Sequence, residues 1–268
     1  MFRTLFAPLG NYIMDGTLQM GRGSLMLIET FRQSAHCHKY ARTIIKQVFS
    51  CGVAAVPVVA ITSLFSGLII AGQTGATLRS FGVQQHLGAL VGATMVRELG
   101  PVLTCIVVAG FVGGGMSSTI ATMRVNEEID ALEVMSINPI RFLVMPRLLA
   151  MLIAVPVLTA ISNTIGMWGG MIVASMSLSV APETYWQSAK SFLEINDVAF
   201  GVLKSLVFGV LITIISCEQG YYATGGAEGV GRATMRSVVY SFLAILISNY
   251  IMFSLIWQTF MSGKTSAV

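Results

Sequence analysis

Residues 148–182 read LLAMLIAVPVLTAISNTIGMWGGMIVASMSLSVAP, without one Asp, Glu, Lys or Arg. A helix that crosses a bilayer needs about 20 predominantly apolar residues. This stretch exceeds that length, so it predicts one spanning helix with some extramembrane chain attached. Working outward, three further charge-free runs cover 47–78, 99–123 and 237–263. A fifth apolar run, 198–217, is interrupted only by Lys204. A lysine fits such a span if it snorkels or faces the protein interior. The expected fold is an all-α membrane protein with five transmembrane helices.

Composition agrees. Of the 268 residues 54% are hydrophobic and 10% charged, against about 25% charged in an average soluble domain. The mean hydropathy is +0.77. These values argue against a disordered chain, a disulfide scaffold, a coiled coil and an ordinary soluble enzyme. The 16 Lys+Arg against 12 Asp+Glu are scattered between apolar runs. A nucleic-acid binder gathers such an excess in one solvated patch, so no nucleic-acid partner is expected. Cys51, Cys105 and Cys217 lie in apolar runs and read as small hydrophobes. His36-Cys37-His38 has no further ligands nearby, and neighbours on a helix diverge by about 100°, so no metal site is expected.

The placement of Lys and Arg sets the expected orientation. With the N-terminus cytoplasmic, that side receives Arg3, Arg22, Arg32, Lys39, Arg42, Lys46, Arg124, Arg141, Arg147, Arg232 and Arg236. The opposite side receives Arg79, Arg97, Lys190 and Lys264. This bias follows the positive-inside rule and puts the C-terminus outside. Residues 1–46 form a separate N-terminal unit ahead of the five-span domain 47–263. Phe2, Leu5, Phe6, Leu9, Tyr12 and Ile13 suggest one amphipathic helix. Leu25, Ile28 and Phe31 suggest a second after a break at Gly21-Arg22-Gly23. Such helices either lie in the membrane interface or pack on the bundle. No cleavable signal peptide is expected, because the first long apolar run starts after residue 46.

Between spans two and three, residues 123–139 read MRVNEEIDALEVMSINP. The segment concentrates Glu127, Glu128, Asp130 and Glu133, while Ile129, Leu132 and Met135 recur at about three. It reads as a short cytoplasmic amphipathic helix within 124–139, ended by Pro139. An acidic helix is poorly placed for anionic lipid and well placed for a basic groove on a soluble partner. A solvated loop helix remains the alternative. The second cytoplasmic loop, with Glu218, Glu228, Arg232 and Arg236, reads as a flexible glycine-rich turn, with direct contact to a partner ATPase as the alternative.

Stretch 123–139 resembles the signature loop of MlaE-type (YrbE-type) permeases, usually written with EQIDAL. Three further blocks are similar to that family: RELGPVLT at 97–104, NPIRFLVMPR at 138–147 and GGAEGVGRAT at 225–234. The resemblance implies an ABC-transporter permease, not itself an enzyme. It would move phospholipid between the inner membrane and a periplasmic MCE-type lipid-binding partner. It implies a homodimer of permeases, a cytoplasmic ATPase docked at Glu127, Glu128, Asp130, Leu132 and Glu133, and a small cytoplasmic accessory protein. No G-x-x-x-x-G-K-[ST] occurs, so ATP and Mg²⁺ belong to the partner ATPase and this chain needs no cofactor. Two positions depart from the family's usual charges: Phe111 stands where an Arg is common and Thr119 where a Glu is common. Their joint loss suggests one missing ion pair.

Arg97, Glu98 and Lys204 are the charged candidates for a lipid path, with an interfacial anchoring pair as the alternative. Gly100-Pro101 beside them reads as a helix break. Ser66, Ile70 and Gln73 on span one are the candidates for an acyl-chain cavity at a dimer axis, by analogy with the family. The pairs Gly110/Gly114, Ala109/Gly113 and Gly166/Gly170 mark close helix contacts, within one chain or across a dimer seam. A rival reading is an ion-gradient-driven secondary transporter of a hydrophobic substrate, but the deep parts of the spans carry no acid. An intramembrane hydrolase has only Ser117, Ser118 and His86 to draw on, without G-x-S-x-G.

Overall fold

In a computed structural model of the chain, residues 2–33 and 41–265 are described, and their regular structure is helical throughout. Eight helices follow in order. They are α1 (Phe2–Gln33), α2 (Ala41–Ser80), α3 (Gln84–Val125), α4 (Glu128–Val134), α5 (Ile140–Leu178), α6 (Pro182–Phe192), α7 (Ile195–Tyr221) and α8 (Gly226–Thr265). Five of them, α2, α3, α5, α7 and α8, are long and apolar enough to cross a membrane. The His36-Cys37-His38 segment lies outside the described residues.

Helices α2 and α5 make the tightest seam. The buried residues of α2 are Cys51, Ala55, Val59, Ser63, Gly67, Ala71 and Gly75. Every fourth position is small, so one narrow ridge faces α5. A Cβ on Gly67 would stand 1.9 Å from the Gly166 carbonyl oxygen, so only glycine fits there. Mid-seam, the Ser63 and Ser162 hydroxyls bond at 2.6 Å. The central core gathers Cys105 and Val108 of α3, Met151, Val155 and Leu158 of α5, Phe208 and Ile212 of α7, and Ile245 of α8. Only 22% of the most apolar stretch of α2 and 11% of that of α8 is buried, against 67% for α5. The outer two helices therefore turn large side chains such as Phe65, Ile69, Ile247 and Ile251 outward. In water such a surface would aggregate; against acyl chains it is at rest.

The small-residue pairs pack within the chain. Gly113 faces Ser216 and Ile212, Gly114 faces Val238, Gly166 meets Met95, and Gly170 meets Tyr185. Tyr185, fully buried on α6, donates from its hydroxyl to the Met167 carbonyl (3.2 Å). Burial pushes its pKa up and keeps that proton in place.

Several boundaries differ from expectation. α1 runs unbroken through Gly21-Arg22-Gly23, since a helical glycine costs only about 1 kcal/mol and Gly23 lies against Ile214. Its Met26 and Thr30 are buried on the bundle while Leu25, Ile28 and Phe31 face outward, so the helix uses both faces. α2 starts at Ala41, ahead of the expected boundary at 47. The supposed glycine-rich turn shrinks to 222–225, with Gly225 and Gly226 at positive φ, because α8 already begins at Gly226. Gly100-Pro101 does not break α3, which passes the proline by widening into a π-turn over Met95–Leu99.

Candidate functional site

Two groups of polar side chains stand out, one at each end of α7. The first starts from Pro101. In a regular helix the Arg97 carbonyl would accept from the N–H four residues on, and proline has none. The π-turn at Met95–Leu99 accommodates the gap, and the Lys204 ammonium of α7 donates to the Arg97 carbonyl (3.0 Å). The same ammonium donates to Glu98 Oε1 (2.6 Å), and Asn249 of α8 donates to Glu98 Oε2 (3.2 Å). Lys204 is 2% exposed and Glu98 36%. The pair is therefore buried on its cationic side and open on its anionic side. Arg97 turns the other way and makes a two-pronged contact with Asp197 (2.7 and 2.8 Å). Asp197 also accepts from the Glu194 N–H in a capping box that starts α7.

Thus Arg97, Glu98 and Lys204 form one cluster, joined by Asp197 and Asn249, which sequence reading had not singled out. The i, i+3 spacing of Glu194 and Asp197 was a capping signal available in the sequence. Ser66, Ile70 and Gln73 are not gathered into it. Ser66 returns its hydroxyl to the Thr62 carbonyl (2.7 Å). Ile70 packs beside Ala71, Leu87 and Val91, and Gln73 is exposed on α2. Phe111 and Thr119 are both exposed on α3. They stand eight residues, or about 12 Å of helix rise, apart. Charges there are not i, i+4 neighbours and would not form an ordinary helix ion pair. Ser117 is buried and His86 exposed near the start of the same helix. Their 31-residue separation is about 46 Å of helix, so no hydrolase dyad exists between them.

The second group is α4. Its first residue follows Glu127, held in the left-handed region (φ 59°). Ile129 is fully buried among Met26, Ile120, Leu143, Val144 and Ile214. With half-buried Leu132 packed on the same cluster, it seats α4 on α1, α3, α5 and α7. The helix ends before Pro139. Ser136 (φ 58°) reverses the chain, with Ile137 N–H donating to the Leu132 carbonyl and Ser136 N–H to that of Glu133. This pair of hydrogen bonds is the glycine-type helix stop, here on a serine. Pro139 instead sits buried at the start of α5, whose first N–H groups donate to Asn138 Oδ1.

Glu127, which caps α4, and Glu128, Asp130 and Glu133 on it are all exposed. Asp130 pairs with Arg124, Glu133 accepts from Tyr221 (3.0 Å), and Glu128 accepts weakly from Asn126 (3.4 Å). Leu132 is half-buried, while Val134 (86%) and Met135 (60%) project outward. The exposed surface is thus acidic with an apolar tip, and Met135 does not join the buried stripe. Among the described residues no cluster of His, Cys, Asp and Glu could hold a metal ion.

Residues 44–255 match the family model described as Permease MlaE. A probable ABC transporter permease protein of Rickettsia typhi is 42% identical over 82% of this chain and 85% of its own length. The intermembrane phospholipid transport system permease protein MlaE of Haemophilus influenzae is 30% identical over 94% of this chain and 97% of its own. The chloroplastic protein trigalactosyldiacylglycerol 1 of Arabidopsis thaliana is 33% identical over 81% of this chain and 62% of its own.

Proposed function

Because this chain belongs to the MlaE family of ABC-transporter permeases, we propose that it carries phospholipid between a bacterial inner membrane and a periplasmic MCE-type partner. Two copies form the permease. Their N-termini and α4 helices are cytoplasmic and their C-termini periplasmic. A separate ATPase, with a small accessory protein beside it, binds ATP and Mg²⁺ and supplies the energy. The observation that carries this reading is the near full-length match to the Haemophilus phospholipid permease. The geometry of α4 supports it: a helix fixed by Ile129 while its carboxylates face outward is suited to transmit a push.

In this mechanism ATPase closure displaces α4. The motion passes through α3 and through the buried start of α5, where Pro139 and Pro146 rigidify the backbone. The cavity between the two α2 helices narrows, and affinity for lipid falls in one of two states. Glu98 stands half-open beside Lys204 and receives the polar headgroup, while Ser66, Ile70 and Gln73 line the acyl path. The test pairs two measurements. Charge reversal in E128K/D130K is expected to abolish co-purification of the ATPase while the permease still inserts; unchanged co-purification overturns the docking assignment. Native mass spectrometry of the mildly solubilised complex is expected to show two permeases, two ATPases and bound phospholipid.

A further inference from the structure

At the α4 end of the bundle a cleft of about 460 Å³ opens between α1, the end of α7 and the start of α8. Small-molecule sites commonly span about 300–1,000 Å³. Arg22 of α1 and Arg232 and Arg236 of α8 line it, together with Glu218, Gln219 and Thr224. Against these three arginines stands the carboxylate of Glu218, which is buried and accepts from Gln219 Nε2 (2.6 Å). Arg22 is posted at the rim by stacking over the Tyr222 ring (4.5 Å). Arg232 pairs with Glu228 only across an open surface, with side-chain exposures of 54% and 80%; such a pair holds little energy and yields readily to a better anion. The cleft is therefore positive and polar.

Its position separates it from the Glu98–Lys204 cluster. Glu218 lies fourteen residues beyond Lys204 on α7, about 21 Å along the helix. On α1 the cleft is lined by Leu18 and Gln19 besides Arg22, and the same helix turns Leu25 and Ile28 outward, side chains suited to the acyl boundary of a leaflet. We propose that this cleft holds a resident phospholipid of the leaflet on the α4 side, an anionic phosphodiester with a hydroxyl-bearing headgroup of the phosphatidylglycerol type. The guanidinium forks of Arg22, Arg232 and Arg236 take the phosphate oxygens. Glu218, held by Gln219, accepts from a headgroup hydroxyl. Because Arg22 belongs to α1 and the other two arginines to α8, the bound headgroup ties the N-terminal helix to the last span. It is a structural lipid and not the transported one.

The test uses the full-length protein in mild detergent, titrated with phosphatidylglycerol or phosphatidylcholine and read by native mass spectrometry. The wild type is expected to retain phosphatidylglycerol about tenfold more strongly. Both lipids offer the same phosphate, but only phosphatidylglycerol offers Glu218 a hydroxyl, and only phosphatidylcholine brings a quaternary ammonium into a cleft with three arginines. R22Q/R232Q/R236Q is expected to lose that preference. R236Q alone, a change at one exposed side chain, is expected to reduce it and guards against misfolding of the triple variant. Equal retention of the two lipids, or a preference that survives both variants, overturns the site. Displacement of the lipid by millimolar inorganic phosphate assigns the cleft to a soluble phosphoanion and overturns the lipid. Loss of the lipid whenever the ATPase co-purifies assigns it to an acidic segment of that partner, which also overturns the proposal.

Discussion

The Glu98–Lys204 cluster and the α4 helix are both charged places in the spanning domain, and they are built in opposite ways. In the first, the charges hold the structure. Lys204 joins α7 to two acceptors on α3, and Glu98 in turn takes Asn249 of α8. In the second, Ile129 does the holding with Leu132 beside it, and the charges add only exposed contacts, Asp130 to Arg124 and Glu133 to Tyr221. Ile129 is fully buried while Glu127, Glu128 and Asp130 are exposed. A buried ion needs its partner to remain folded, whereas an exposed carboxylate contributes little to stability. Substitution at the first site should therefore disturb fold and function together, and at the second it should separate them.

Lys204→Met tests the strong end of that contrast. It leaves the Arg97 carbonyl without its donor and Glu98 without its cation. Removing one partner of a buried pair costs about 3–5 kcal/mol, and the 36% exposure of Glu98 places this one near the lower limit, about 3 kcal/mol. Thermal unfolding in detergent should show the largest fall in midpoint of any variant named here. Adding Glu98→Gln should recover part of it, since the second change removes the uncompensated carboxylate. A double variant no better than the single one would mean that Lys204 matters for the backbone carbonyl alone.

Ile129→Ala comes next, at about 2 kcal/mol, the low side of a buried aliphatic truncation, because α4 can detach without opening the bundle. Hydrogen exchange should rise over residues 126–137 and stay unchanged in α5 and α7. Asp197→Asn follows, at about 1 kcal/mol. It weakens a half-exposed arginine contact and one capping bond. Exchange should quicken in the first turn of α7 only.

What the sequence announced and what it hid divide along the same line. The spans were legible because charge is expensive in hydrocarbon, so uninterrupted apolar runs such as 148–182 have few other uses. The acidic helix was legible because Ile129 and Leu132 and the four carboxylates are all local in sequence. The cluster was only half legible. Arg97, Glu98 and Lys204 were conspicuous as charges, yet Lys204 reaches its partners across more than a hundred residues, and no spacing rule reports that. One local clue did exist: Pro101 stands four residues after Arg97, so a carbonyl had to look elsewhere for a donor. The continuity of α1 was hidden for a different reason, since two glycines flanking an arginine suggest a turn until tertiary packing overrides them. The end of α4 was misplaced because Ser136 adopts a left-handed backbone that glycine usually supplies.

Glu128→Lys is the smallest expected effect on stability and the most informative about the comparison. Among the described residues its carboxylate bonds only Asn126, at a long 3.4 Å, on an exposed surface. Substitutions of that kind fall within about 0.5 kcal/mol. The unfolding midpoint should therefore match that of the wild type, as should exchange over 126–137. Binding of the ATPase, measured on the solubilised permease at low and high salt, should weaken by about tenfold at low salt, the loss of one charged contact. The difference should narrow as salt screens the remaining carboxylates. A variant that unfolds early would place Glu128 among the structural charges, and α4 would then resemble the Lys204 cluster after all. A variant that is stable and binds normally would leave the exposed acids without a role in docking and move the contact to the apolar tip at Val134 and Met135. Only stability retained with binding lost keeps the two regions distinct, one assembled by its charges and the other presenting them.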